Sequence, residues 1–186
     1  AAPADAGTVA TEDRGDAIAV TDETGAGGSK HSLKITEGPG RQRYYNPHFA
    51  YLPRHTEGLT RCSFDMRIEP GVVMYHEWRS WDVQPYRVGP SFSITEGKLR
   101  VGGKDLLDLP QGQWSHLEIS AGVGAQADGT WRLAVTLPDQ EPAVFEALAT
   151  GSPEFKNLTW LGWSSTAVDK AVFYLDNIRI SSEVPE

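Results

Sequence analysis

Arg61-Cys62-Ser63-Phe64-Asp65-Met66-Arg67-Ile68-Glu69 alternates without a break. Cys62, Phe64, Met66 and Ile68 fall on one side, and Arg61, Ser63, Asp65 and Arg67 on the other. That is the period of a β-strand with one face in a core and the other toward water. Pro70-Gly71 then turns the chain. The same alternation predicts strands over 17–20, 31–36, 72–78, 91–94, 98–101, 114–120, 131–137, 144–148, 158–164 and 172–180. Nineteen Gly and twelve Pro separate these short runs. Only Ala143 to Ala149 is also compatible with a short helix.

Many short strands with no helices between them predict two packed antiparallel sheets, an all-β sandwich of jelly-roll type in a single domain. An immunoglobulin-type sandwich is disfavoured because the single cysteine, Cys62, cannot supply the Cys-Trp-Cys spacing. The expected domain runs over 9–182, with 1–8 a linker or processed N-terminus and 183–186 a tail. At 186 residues the chain is long enough to bury a core without disulfides. Twenty-five acidic residues against seventeen Lys and Arg give a formal charge of −8, which opposes binding to a phosphate backbone, so nucleic acid is not an expected partner. No apolar run is long enough for a transmembrane helix, so no membrane partner is expected either. The Pro/Gly/Ala-rich start suits the joint of a larger multidomain protein.

Both ends of the chain carry a resemblance. Thr11-Glu12-Asp13, the run 17–20, the Gly-rich turn Gly25-Ala26-Gly27-Gly28-Ser29 and His31 to Ile35 are similar to the opening of jelly-roll carbohydrate-binding modules, concanavalin A-like or galactose-binding-like, appended to bacterial polysaccharide-degrading enzymes. The closing run Val172-Phe173-Tyr174-Leu175-Asp176-Asn177-Ile178-Arg179-Ile180 resembles their last strand. What the resemblance implies is a sugar-binding module, secreted or on the cell surface, with a structural Ca2+. Its expected ligands are Glu12, Ser29 or Lys30 through the main chain, and Asp176. A hard cation needs six to eight oxygens, and one placed there would tie the first strands to the last.

Residues 41–90 differ in character from the rest. All seven basic residues of this stretch are Arg (41, 43, 54, 61, 67, 79 and 87), and three of the five His (48, 55 and 76) lie there too. They are interleaved with Tyr44, Tyr45, Phe49, Tyr51, Tyr75, Trp78, Trp81 and Tyr86. A pyranose ring explains this combination: its C–H face stacks on aromatic rings while its hydroxyls need donors and acceptors. Arg adds bidentate bonds to carboxylate or sulfate groups. The candidate ligand-binding residues are therefore Arg43, Tyr45, His48, His76, Trp78, Arg79, Trp81, Tyr86 and Arg87, with His76 and Trp78 expected as the groove floor. Trp114, Trp131, Trp160 and Trp163 sit in regular strands and read mainly as packing.

Polysaccharide lyases of similar architecture offer a second reading, since the ingredients of β-elimination are present: Arg43 or Arg79 as neutraliser, His76 or His48 as base, Tyr45 or Tyr86 as acid. A laminin-G-like adhesion domain is a third. Neither the spacing of His48, His55 and His76 nor Cys62, placed on the apolar face of its strand, fits a zinc signature or a nucleophile. The leading expectation is a monomeric, non-catalytic module that binds a polysaccharide, acidic or otherwise polar.

Overall fold

The computed structural model describes residues 7–184. Its fourteen strands are β1 (Thr8–Ala10), β2 (Ala17–Thr21), β3 (Ser32–Thr36), β4 (His48–Tyr51), β5 (Gly58–Ile68), β6 (Val73–Ser80), β7 (Arg87–Thr95), β8 (Lys98–Val101), β9 (Lys104–Asp108), β10 (Trp114–Val123), β11 (Thr130–Thr136), β12 (Ala143–Ala149), β13 (Trp160–Ser165) and β14 (Val172–Glu183). They form two seven-stranded antiparallel sheets, ordered β1-β4-β13-β6-β7-β8-β9 and β12-β11-β10-β5-β14-β3-β2. The first is called the front sheet below and the second the back sheet. This is the sandwich expected from the alternation. Strand pairing begins at Thr8 and reaches Glu183, just outside the expected 9–182. Most of the expected linker, residues 1–6, lies outside the described residues.

The alternating stretch 61–69 lies near the middle of the back sheet. Strand β5 pairs with β10 on one side and β14 on the other, and Cys62, Phe64, Met66 and Ile68 all point inward. Burial pushes the Cys62 thiol well above its usual range, as suits a small hydrophobe. Phe64 meets Trp163 of β13 edge-on at 5.1 Å between ring centroids, and this contact joins the two sheets at the centre of the core. Trp131 and Trp163 are core residues, as expected. Ala143–Ala149 is a strand: it closes the edge of the back sheet by pairing with β11, which settles the helix-or-strand ambiguity in favour of tertiary pairing.

Three strands have no counterpart in the sequence reading. Strand β1 has three residues, β4 is flanked by Pro47 and Pro53, and β9 (Lys-Asp-Leu-Leu-Asp) does not alternate. Each carries too little pattern to be seen alone, and each is recruited by a longer neighbour. Strand β4 matters most, because it pairs with β13 and brings His48 beside Ser164.

Candidate binding cleft

The site grows out of β6. Its inward face holds Met74, His76 and Trp78, and its outward face Tyr75, Glu77 and Arg79. The alternation grouped these residues correctly, but the expected orientation is reversed. His76 and Trp78 are both 0% exposed, so they cannot form a groove floor. The Trp78 indole N–H donates to His76 Nε2 at 3.0 Å, and the His76 ring packs among Phe64, Phe92 and Trp163. Burial drives the His76 pKa down to about 3, leaving a neutral imidazole that serves as a hydrogen-bonding core residue. The physical reason for the reversal is that His76 packs on Phe64 and Trp163 with Trp78 beside it in the core, whereas Tyr75 and Arg79 are only partly buried.

On the outward face, Arg79 is the hub. Its guanidinium carbon lies 4.1 Å from the centre of the Trp160 ring, 4.9 Å from Tyr86, 5.2 Å from Trp81 and 6.0 Å from Tyr75. Its Nε donates to Glu77, the next residue but one on the same face, and its Nη2 donates to the Tyr75 hydroxyl at 3.4 Å. Burial works against the charge, but the Glu77 carboxylate and the Tyr75 hydroxyl outweigh it, and the pKa is raised. Arg79 is a cation held among aromatic faces. The backbone helps to aim it: between Glu77 and Arg79 the register with β7 slips, so that Gly89 and Pro90 together oppose Trp78.

Trp160, read from sequence as packing, faces this cleft. Its indole lies along β13 over Gly162, where an added Cβ would sit 2.5 Å from the ring. No larger residue leaves room for that ring position. Tyr44, Tyr75 and Ser164 also line the cleft and were not among the expected site residues. The hairpin tip after β6 supplies Trp81 and Tyr86, whose rings lie 4.9 Å apart, and the main-chain N–H of Trp81 is held by the Thr159 hydroxyl at 2.7 Å. Arg87 is directed elsewhere. It donates to the Pro85 carbonyl at 2.8 Å and lies 3.9 Å from Glu154, so its expected place in the site is corrected: it braces the hairpin.

The opposite wall comes from residues 38–47. Glu37, fully buried at the root of this loop, lies 3.4 Å from Arg41, whose Nη2 donates to the Thr166 carbonyl. Burial pushes the Glu37 carboxyl upward against the pull of Ser165 and Arg41. From this anchor the loop carries Arg43, Tyr44 and Tyr45 to the rim, and β4 adds His48. The His48 pKa is lowered by burial first and by the Arg79 charge second, against the pull of the Tyr45 main chain, so the ring is neutral near pH 7. The cleft has a volume of about 370 Å3. Its lining includes two guanidiniums, Arg43 and Arg79, and no carboxylate, in a chain of net charge −8.

The cleft is one end of a longer feature. His48, Ser164, Tyr75, Ser93 and Arg100 are directly opposite one another across five adjacent strands, β4, β13, β6, β7 and β8. Four inter-strand spacings make this row roughly 19 Å long. A second depression, about 160 Å3 and lined by Tyr75, Glu77, Ser91, Ser93 and Arg100, continues it.

The residues expected to hold Ca2+ do not share one cradle. Asp176 meets the Gly-rich turn, as the resemblance implied, but as an acceptor from the Ala26 N–H at 2.9 Å, while Ser29 bonds within the turn. Glu12 precedes β2 at Ala17, whereas Asp176 lies beside the far end of that strand pair, next to the Leu33 register position. Glu12 is held by N–H donors of residues 42, 43 and 46. Such donors suit an anion and oppose a cation, so the set Glu12, Ser29 and Asp176 does not fit a shared calcium ion. Among the described residues no group of three or more His, Cys, Asp or Glu is placed to hold a metal.

No family model matches the chain, and no curated protein matches it by sequence. Solved structures match by shape. An endo-β-1,4-glucuronan lyase from the fungus Trichoderma reesei has a TM-score of 0.58 at 8% identity, over 95% of this chain and 90% of that one. A carbohydrate esterase of the Shiga toxin-encoding bacteriophage phi24B also has a TM-score of 0.58, at 13% identity over 96% and 90%. An alginate lyase from Aplysia kurodai gives 0.56 at 10% identity over 89% and 87%. At such identities the likeness is one of fold alone: the chain is a β-sandwich, as those three proteins are by shape.

Proposed function

We propose that this chain is a polysaccharide-binding β-sandwich module, extracellular or on the cell surface, whose front sheet takes an acidic glycan. The observation that carries this reading is the clustering of Trp81, Tyr86, Trp160, Tyr44 and Tyr45 with two guanidiniums in one open cleft. Trp81 is 48% exposed and Tyr44 is 70% exposed, which is costly in water unless a partner covers them and natural for ring-on-ring stacking. Arg43 has no ion-pair partner among the described residues and stands at the rim, free to bind a carboxylate or sulfate. Glucuronan and alginate, the polymers named for two proteins of the same fold, are both built of uronic acids. The test is affinity electrophoresis in gels containing glucuronan, alginate or a neutral glucan. Retardation by a uronate polymer, lost on Trp81→Ala, is expected; equal mobility in all three gels would defeat the proposal.

One observation favours a catalytic second reading. His48 is neutral and lies beside Tyr45, with ring centroids 5.9 Å apart, in the cleft that contains Arg79. A neutral imidazole can take the C5 proton of a uronate as the C4–O bond breaks and a C4–C5 double bond forms, with a tyrosine hydroxyl returning a proton to the departing oxygen. Rising absorbance near 235 nm on glucuronan or alginate, abolished by His48→Gln, would establish a lyase. Retardation without that absorbance keeps the module a binder.

A further inference from the structure

Glu12, excluded above from a shared cation site, has a different environment. It lies in the connection between β1 and β2, and its carboxylate accepts three N–H groups from the cleft-forming loop. One is the main-chain N–H of Gln42, the second is that of Arg43 at 2.8 Å, and the third is the side-chain Nδ2 of Asn46 at 3.0 Å. The Gln42 bond, foremost, keeps the carboxyl ionised by lowering its pKa. An ionised carboxylate can only accept, so the nitrogen end of the Asn46 amide must face Glu12. The oxygen end then faces His48, with Oδ1 lying 2.9 Å from Nδ1. An amide oxygen is likewise acceptor-only, and it is satisfied only if the imidazole proton sits on Nδ1. Asn46 is itself buried, so water is poorly placed to substitute for either bond.

We infer that Glu12 and Asn46 form a positioning relay that fixes His48 as its Nδ1–H tautomer and leaves Nε2 as a hydrogen-bond acceptor in the cleft. The relay orients the ligand. A lone pair at Nε2 attracts a hydroxyl hydrogen and repels the oxygens of a carboxylate or sulfate, whereas the Arg43 guanidinium does the opposite. A bound acidic sugar therefore turns a hydroxyl toward β4 and its anionic group toward Arg43. The orientation rests on the binding reading above; the tautomer does not, and the two are measured separately.

The tautomer is read by long-range 1H–15N correlation on the full chain labelled with 15N-histidine at pH 7.5, with the His48 signals assigned by their loss in His48→Gln. In the wild type, the shift of Nδ1 is expected to be that of a protonated nitrogen and the shift of Nε2 that of an unprotonated one. Glu12→Ala, which frees the amide to flip, and Asn46→Leu, which removes the acceptor, are both expected to move the population toward Nε2–H. A wild-type His48 protonated on Nε2, or a tautomer unchanged in both variants, overturns the relay, and the wild-type spectrum decides even if neither variant folds. On glucuronan or alginate gels, Asn46→Leu is expected to weaken retention about tenfold, the scale of one hydrogen bond, and to add nothing in the His48→Gln background. Additive losses would sink the relay while leaving the binding reading intact. Conversely, absence of retention by any uronate polymer, with the Nδ1–H tautomer confirmed, would sink the binding reading and leave the relay standing.

Discussion

The two faces of β6 carry similar chemistry and opposite roles. Inward, His76 and Trp78 form a nitrogen-to-nitrogen hydrogen bond sealed in the core; outward, Tyr75 and Arg79 build a cleft with Trp160, Trp81 and Tyr86. Each face pairs aromatic rings with a nitrogen base or cation. Residue type therefore does not separate core from site here. What separates them is burial: the inner pair is closed off from water, whereas the outer groups border an open cleft.

This contrast can be broken most forcefully from the inside. Trp78→Ala opens a cavity in the core and takes away the donor to His76 Nε2, and is expected to cost about 4 kcal/mol in urea unfolding. A loss below about 1 kcal/mol would mean that the inner face is not core. Arg79→Ala comes next. Its side chain is only 11% exposed and ion-paired, so removal strands Glu77 and empties the aromatic cage, and a loss of roughly 2 kcal/mol should accompany loss of glycan retention. Full stability in this variant would show the cage to be dispensable.

A third test probes the inner face through pH. The folded-state pKa of His76 is depressed from 6.5 to about 3, so the unfolded chain binds more protons in that interval. Its contribution is complete above about pH 6.5 and declines as pH falls toward 3, by about 1.4 kcal/mol per pH unit once well below 6.5. His48 and His55, also lowered, act in the same direction. His76→Gln, which keeps an acceptor for Trp78, should flatten the slope between pH 6 and 5 relative to wild type; identical slopes would count against a buried neutral His76. The smallest effect on stability is expected on the outer rim. Trp81→Ala should lower unfolding stability by only about 1 kcal/mol, the scale of its contacts with Tyr86 and Arg79, while abolishing retardation in uronate gels. A large stability loss would move Trp81 from ligand platform to scaffold.

Much of this arrangement was legible in the sequence, for definite reasons. Period two is a local property, so β5, β6, β10 and β11 could be read, along with which residues share a face. Which face turns inward depends on what lies across the sandwich, and β6 is amphipathic in neither sense. Its orientation is decided by Phe64 and Trp163, residues 12 before and 87 after His76. The concentration of Arg, His and aromatic residues in 41–90 pointed to Arg43, Tyr45, His48, Arg79, Trp81 and Tyr86, which line one cleft from two loops and the outward faces of β4 and β6. Trp160 was missed because β13 is buried along its whole length and shows no alternation. Glu12 was misjudged because its partners lie on a loop thirty and more residues away, which no local pattern reveals.

The missing side chain at position 162 has a wider meaning. A single hydrogen there lets an indole recline on the strand and form a level surface; a methyl group would tilt the ring and rumple the surface beneath Arg79. The contour offered to a ligand is thus governed by a residue that no ligand needs to touch. Exchanging this glycine for alanine in the back of the cleft would redraw its contour without altering any charge.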